Sequence, residues 1–167
     1  MAKKGSLFTV GTLLSSFFGA AMIAGAFAYY NHKFTEYKFV NFKDFTFYEE
    51  KVKFIPTKEK YLVVFYSSKT NNIVEQIKKL DNPLPILAVD YSQKRIPSTS
   101  DATFIRSGTG TTLKFIQRFN IYNIPTIFII KKFKDNLYKQ DSMIHIIKDL
   151  DALPVITKAL EEDKEIE

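Results

Sequence analysis

The sequence predicts an α/β domain, a mixed sheet flanked by helices, that follows one apolar helix at the N-terminus. Three observations predict it. Residues 5–32 contain no Asp, Glu, Lys or Arg. Two short apolar runs, 61–66 and 85–91, enclose a segment with helical periodicity, which is typical of a strand–helix–strand unit. Residues 119–130 lead from an apolar helical pattern through a proline directly into an apolar strand.

The uncharged segment predicts a transmembrane helix over 6–30, preceded by a short tail, 1–5, with two lysines. A helix of ~24 residues is ~36 Å long and crosses a ~30 Å hydrocarbon core. A cleaved signal peptide, with small residues at 24–28 as cleavage sites, and a buried soluble helix remain as alternatives. The length of the apolar run favours an uncleaved anchor. The basic tail is expected to stay in the cytoplasm, which places the domain in the periplasm of a bacterium, on its inner membrane.

Small residues recur every four positions along the predicted membrane helix. They form two stripes, which are Gly11, Ser15 and Gly19, and Ser16, Ala20, Ala24 and Ala28. Such stripes allow two helix backbones to approach closely in lipid, so they predict packing on a partner helix. The alternative is that Gly, Ala and Ser are simply common in single membrane spans.

Residues 31–60 form an aromatic-rich linker that includes a possible first strand near 38–47. So many aromatic side chains need cover, because a large exposed apolar surface in a soluble protein marks an interaction site. Packing of a first strand into the core is one interpretation, and a docking surface is the other.

The following elements are predicted from periodicity. Residues 61–66 form a strand buried on both faces. Asn72 and Glu75 have the spacing of a capping box at the start of a helix. After the second strand, the polar stretch 92–110 is predicted to be a loop, and 113–119 a short helix. The Ser-Gly-Thr-Gly-Thr-Thr run, residues 107–112, lacks the lysine of a phosphate-binding loop.

The C-terminal part is predicted as a strand, a hairpin strand and a helix. The strand covers 126–130, and a further strand begins at residue 137 and can include 143–147. His145 alternates with apolar neighbours there and is expected on the exposed face. A last helix is predicted over 152–162, with Asp151 as its N-cap and an acidic tail at 163–167.

This order of elements resembles the thioredoxin superfamily over residues 61–162. The resemblance is carried by the end of the first strand (Val63-Val64-Phe65-Tyr66-Ser67), by Val89-Asp90, by Phe119-Asn120-Ile121 and by Ile124-Pro125-Thr126-Ile127-Phe128. It implies a thioredoxin-like mixed sheet and a cis peptide bond between Ile124 and Pro125.

In the family, that proline faces a CxxC motif at the start of a helix. By resemblance the two cysteine positions fall on Thr70 and Ile73, and the whole chain contains no cysteine. Thiol–disulfide exchange requires a thiolate, which a threonine hydroxyl does not replace. The redox activity of the family therefore does not carry over, and we expect a protein that is not an enzyme.

What can carry over is the peptide groove. The resemblance implies that an extended segment of a partner would pair with backbone beside the cis-proline. The residues predicted to bind it are Tyr122, Asn123, Ile124 and Pro125 on one side and Lys69, Thr70, Asn71 and Asn72 on the other. The alternative is that the proline only preserves the fold.

Charge and composition limit the remaining functions. The net charge of +6 comes from lysines scattered among acids, not from the basic stripe of a nucleic-acid surface, and the two histidines lack ligand spacing. We expect no metal, cofactor, nucleic acid or small-molecule substrate. The sequence predicts a structural or docking subunit of a cell-envelope complex, such as a flagellar motor or secretion machinery, whose partners are membrane or periplasmic proteins and the bilayer. The alternative is a membrane-tethered chaperone or peptide-binding module.

Overall fold

The computed structural model describes residues 9–36, 38–70, 72–147 and 152–162. The chain divides into two compact units, residues 1–36 and 37–167. The predicted tails 1–5 and 163–167, the helix cap Asp151 and the groove residue Asn71 lie outside the described residues.

In the first unit, the described residues 9–36 form one helix, α1 (Val10–Glu36). Its segment Val10–Lys33 is long and apolar enough to cross a membrane, and none of the segment's apolar window is buried. The hydroxyls of Ser15 and Ser16 donate hydrogen bonds to the Thr12 carbonyl, at 3.0 and 2.9 Å. These bonds satisfy the hydroxyls inside the helix, which lowers the cost of placing them in lipid.

The second unit is built on one twisted sheet. In the part of the chain that is described, its strands are β1 (Phe39–Asn41), β2 (Phe47–Glu49), β3 (Val52–Lys53), β4 (Lys60–Tyr66), β5 (Ile86–Asp90), β6 (Ala102–Ser107), β7 (Thr126–Lys134), β8 (Leu137–Gln140) and β9 (His145–Ile146). The order across the sheet is β1-β8-β7-β4-β5-β6-β2-β3, with β9 paired to the start of β7. β4, β5 and β6 are parallel, and the other pairs are antiparallel.

Among the residues described, three helices complete this unit: α2 (Ile73–Lys79), α3 (Thr109–Phe119) and α4 (Leu153–Glu162). Residues of one face of the sheet pack with α3 and with the chain segment 40–61. Residues of the opposite face pack with α2 and α4. The predicted thioredoxin-like mixed sheet flanked by helices is therefore confirmed. The Ile124–Pro125 peptide bond is cis, as the resemblance implies.

The central strands agree with the sequence prediction, because β4, β5 and β7 are the continuous apolar runs. Every residue from 61 to 66 and from 86 to 90 is buried. His145 is exposed in β9, as expected.

The predicted loop over 92–110 is wrong. Its second half contains β6, which pairs with β5 in parallel, and the helix α3 begins at Thr109 inside the Ser-Gly-Thr run. The sequence analysis missed β6 because its apolar residues form no continuous run. The half-buried polar residues Thr103 and Arg106 interrupt them. Its strand conformation depends on pairing with β5 and β2, which local periodicity does not contain.

The predicted linker over 31–60 also needs correction. Its first residues, through Glu36, continue α1, and its residues from 38 onward belong to the sheet unit. The possible first strand near 38–47 is two strands at opposite edges, since β1 pairs with β8 and β2 pairs with β6. Of the two interpretations of its aromatic residues, core packing is confirmed for Phe42, Phe45, Phe47 and Phe54, which are buried.

The predicted capping box is absent at the start of α2. Asn72 is the N-cap residue, but it adopts a left-handed conformation with φ of 62° and its side chain makes no capping hydrogen bond. Asparagine is among the few residues that tolerate this conformation, so its role here is to turn the chain.

Candidate functional site

A shallow groove opens beside the cis-proline. It has a volume of about 330 Å³ and is lined by Phe65, Tyr91, Ile116, Ile121, Tyr122, Asn123 and Ile124. Phe65 lies near the end of β4, Tyr91 directly follows β5, and Ile116 belongs to α3. The remaining residues belong to the turn between α3 and β7. The groove thus lies where a helix and the ends of two parallel strands meet.

The turn from 121 to 125 is fixed at both ends. Ile121 is buried and its N–H donates to the Ile116 carbonyl at 3.0 Å. The Pro125 carbonyl accepts from the N–H of Ile147 at 3.1 Å, and the Thr126 hydroxyl donates to the Asn123 carbonyl. These bonds hold the turn against the sheet, so its geometry is preorganised.

Between these fixed points, the backbone is open. Within the described residues, the N–H and C=O groups of Tyr122 and Ile124 make no hydrogen bond to the protein. The Tyr122 side chain is 86% exposed and that of Ile124 is 42% exposed. An extended segment that pairs with this backbone would also cover both apolar side chains.

The opposite side of the predicted groove is arranged differently. Lys69, Thr70 and Asn72 are exposed, but they do not line the groove. Tyr122, Asn123 and Ile124 line the groove, and the half-buried Pro125 follows them. Their binding of a partner stays a prediction. The sequence analysis missed Phe65, Tyr91, Ile116 and Ile121. The available signal was their position at the ends of predicted apolar elements, next to the Ile-Pro-Thr segment.

The loop that follows β4 is held by a buried carboxylate. Asp90 Oδ1 accepts from the N–H groups of Ser68 and Ser92, both at 2.9 Å. Asp90 Oδ2 accepts from the Ser68 hydroxyl and from the N–H of Lys94, both at 2.7 Å. Four donors therefore occupy this carboxylate, which makes it a structural clamp between two loops and not an available acid or base.

Tyr66 has an unusual environment close to this clamp. Its ring is fully buried, and its hydroxyl has no hydrogen-bond partner. Burial, and secondly the negative charge of Asp90, raise the pKa of the Tyr66 hydroxyl far above its usual value. It packs in the core of the face covered by α2 and α4, whereas the groove residue Phe65 belongs to the other face. Tyr66 therefore stays protonated and does not serve the groove.

The side chains of the groove limit the chemistry that it can offer. Its lining consists of aromatic and branched aliphatic side chains with one amide, Asn123. Among the residues that the structure describes, no three His, Asp or Glu side chains cluster in a way that would hold a metal ion. A shallow groove of mixed polarity next to unpaired backbone can accommodate both the backbone and a side chain of an extended polypeptide.

The small residues of the predicted stripes are all exposed along α1. An added Cβ at Gly19 would meet no atom within 4 Å. The two stripes are thus accessible to another helix, and their packing on a partner stays a prediction.

Comparison with known proteins gives few matches. No protein-family model and no curated protein matches the chain. Among solved structures, the chain is similar to an exposed lipoprotein thioredoxin of Streptococcus pneumoniae strain TIGR4. The two are 15% identical, the match covers 62% of this chain and 84% of that one, and the TM-score is 0.41.

Proposed function

We propose that the protein is a non-catalytic, membrane-anchored binding module with a thioredoxin-like domain, which serves as a structural or docking subunit of a bacterial cell-envelope complex. In this proposal α1 is the anchor in the inner membrane and the domain lies in the periplasm. The flagellar motor and secretion machinery are complexes of the kind that would host it.

The observation that carries the proposal is the open backbone of Tyr122 and Ile124 beside a groove lined by aromatic and aliphatic residues. The position that would hold the redox motif contains Thr70 and Ile73, so nothing there can exchange disulfides. The groove has open backbone that can pair with a polypeptide, but it has no cysteine that could react with one. This combination suits a docking protein. The partner would add a strand next to the turn and place an apolar side chain in the groove.

A site-specific crosslink tests this proposal. Because the natural chain has no cysteine, Tyr122→Cys creates a single thiol that can carry a photoreactive group. We expect one defined crosslinked species from membranes, in fixed stoichiometry. Leu113→Cys, on the exposed side of α3, is the matched control and should give none. Equal crosslinking from both positions would contradict the proposal.

Substitution of the groove then measures its contribution. Tyr122→Ser and Ile124→Ser should each reduce recovery of the partner in mild detergent about tenfold, since exposed aromatic and aliphatic anchors of an interface contribute on the order of 1–2 kcal/mol. Leu113→Ser is the control for loss of an exposed apolar side chain. Full recovery with both groove variants, at unchanged thermal stability, would refute docking at this groove.

The second candidate, a membrane-tethered chaperone, uses the same open backbone. It differs in the number of partners, because a chaperone holds many client segments transiently. The crosslink from Tyr122→Cys would then give a broad distribution of products that disappears when client synthesis is stopped. A single product that persists under those conditions supports the docking subunit.

A further inference from the structure

One edge of the sheet combines lysine and phenylalanine side chains on the same side. We call it the basic–aromatic face, and it consists of Phe39, Lys131, Phe133, Lys134 and Lys139. Lys131 of β7 lies directly opposite Lys139 of β8, which in turn lies opposite Phe39 of β1. The rings of Phe39 and Phe133 are in edge-to-face contact, with their centroids 5.3 Å apart. Cross-strand neighbours share a face of the sheet, so these side chains form one continuous surface.

This surface is unfavourable for a domain in water. Like charges directly opposite each other on neighbouring strands repel. Within the part of the chain that is described, Lys131, Lys134 and Lys139 make no salt bridge. Phe133 is 60% exposed, although it sits in a strand. An anionic surface with an apolar layer beneath it would neutralise the lysines and cover the ring.

A cleft at the end of the same edge adds to the positive charge. It has a volume of about 510 Å³, and its lining includes Lys43 and Lys134. Asp135 is its one acidic lining residue, so the lysines exceed the carboxylates there. Lysine ammonium groups are suitable donors to phosphate oxygens.

The sequence distance to the membrane anchor indicates what covers this face. Phe39 lies six positions after Lys33, the last residue of the apolar segment of α1. Six residues span at most about 20 Å even when fully extended. A bilayer that contains α1 therefore has its headgroup layer within reach of β1. This step rests on the proposed function, in which α1 is the anchor.

We propose that the basic–aromatic face docks on the headgroup layer of an anionic phospholipid bilayer. Lys131, Lys134 and Lys139 face the lipid phosphates, and Phe133 enters the interface between headgroups and acyl chains. Basic residues next to a membrane anchor are attracted to anionic lipid, and an aromatic ring is favoured at the interface. An acidic protein is the competing partner, and it lacks the apolar layer that Phe133 would enter.

The test uses the full-length protein in lipid vesicles. Phe133→Cys provides a single thiol for an environment-sensitive fluorophore, and lipids with a quencher near the headgroup report docking. The vesicles contain zwitterionic lipid alone or with about 30 mol% phosphatidylglycerol, a content chosen to give a negative surface potential. We expect quenching with the anionic lipid only, and its loss in about 0.5 M salt, where the Debye length falls to a few Å. A fluorophore at Leu113→Cys should remain unquenched.

Charge reversal provides the second measurement. Each lysine near an anionic surface changes the docking equilibrium by roughly fivefold. Lys131→Glu with Lys139→Glu should therefore shift the equilibrium by about 25-fold or more towards the undocked state. Lys114→Glu, an exposed position on α3, is the matched control and should leave quenching unchanged.

The outcomes separate this inference from the proposed function. Protein that fails to float with vesicles refutes the anchor, and with it both proposals. Protein that floats but shows equal quenching in zwitterionic and anionic vesicles, or none in either, refutes only the docking of this face. A fluorophore that stays unquenched in anionic vesicles but is shielded in native membranes also refutes it, in favour of an acidic protein.

Discussion

The two faces of the sheet are built from different side chains. On the face covered by α3, ten of the seventeen buried core residues in the described part of the chain are aromatic. On the face covered by α2 and α4, two of fifteen are aromatic, namely Tyr66 and Phe104. Phe115 illustrates the first face, because its ring contacts those of Phe47, Phe119 and Phe128 at centroid distances of 5.5, 4.8 and 6.2 Å.

The difference follows from what covers each face. The helix α2 packs two aliphatic side chains, Ile73 and Ile77, on its face of the sheet, whereas α3 packs Phe115 and Phe119 on the other. The segment 42–61 contains short strands and irregular chain and no helix. Large rings fill the resulting spaces, since each buries on the order of 150–250 Å². An irregular cover is therefore compatible with a dense core when its side chains are aromatic.

The irregular cover is also tied down by polar contacts at its ends. The Phe42 N–H donates to the Asn136 carbonyl at 2.9 Å. The Tyr138 hydroxyl donates to the Lys58 carbonyl at 2.6 Å, and the Tyr61 hydroxyl accepts from the N–H groups of Thr57 and Lys58. Two tyrosines thus replace the backbone hydrogen bonds that a helix would supply.

The largest expected effect tests whether this segment belongs to the core. Phe42→Ala should destabilise the domain by about 3–5 kcal/mol, because Phe42 is 2% exposed and packs against Phe47, Phe54 and Tyr138. Thermal unfolding of the full-length protein in mild detergent, followed by circular dichroism, measures it. Met143→Ala, an exposed position outside the core, is the control and should change stability by less than about 0.5 kcal/mol. Similar values for the two variants would show that segment 42–61 does not form a core.

A smaller effect compares one tyrosine hydroxyl on each face. Tyr138→Phe leaves the Lys58 carbonyl without its donor and should cost about 1–2 kcal/mol. Tyr66→Phe removes a buried hydroxyl that has no partner, so it should be neutral or stabilising by about 1 kcal/mol. Urea unfolding of both variants gives the two free energies. A reversed order would mean that the hydroxyl of Tyr66 is bonded and that of Tyr138 is dispensable.

The smallest effect concerns alkaline pH. Burial raises the pKa of Tyr66 and of Tyr138 above the unfolded value of about 10, with additional contributions from Asp90 at Tyr66 and from Tyr61 and Glu59 at Tyr138. Below pH 10 both tyrosines are protonated in the folded and unfolded states. Above it, the unfolded state loses protons that the folded state keeps, so stability falls as pH rises.

The expected slope has an upper limit of about 1.4 kcal/mol per pH unit for each such tyrosine. Unfolding midpoints between pH 9 and about 11 measure the slope. The doubly substituted protein, with Tyr66→Phe and Tyr138→Phe, should show a shallower decline than the wild type. Parallel curves would indicate that neither hydroxyl titrates differently in the two states.

The sequence predicted those elements whose pattern of apolar residues can be recognised within a short stretch of chain. β4, β5 and β7 are apolar throughout because both of their faces are buried, and that pattern is visible in a short window. The Ile-Pro-Thr segment located the groove, because residues 122–124, which lead into its proline, form the rim of the groove. β6 and the placement of residues 38–54 depend on partners far away in the chain, and no local pattern encodes a distant partner.

The groove was predicted incompletely for a related reason. Tyr91 and Phe65 were assigned to strands, and the sequence does not show that their rings meet beside residue 122. The prediction of Asn72 as a side-chain cap was wrong. Its backbone is left-handed, and its side chain makes no capping hydrogen bond. The sequence thus identified the segment that bears the site, whereas the opposite wall required the assembled sheet.

The position of β1 has a consequence for the order of events during synthesis. β1 leaves the ribosome soon after α1, yet its partner β8 follows one hundred residues later, since Phe39 pairs with Lys139. At about 5–20 residues per second, that delay is roughly 5–20 s. During this interval β1 lacks its partner strand, and the core around the phenylalanines at 42, 45, 47 and 54 is incomplete because Tyr138 of β8 belongs to it. The nascent chain therefore exposes these aromatic side chains before the core that buries them is complete, and that is when a general folding factor would act on them.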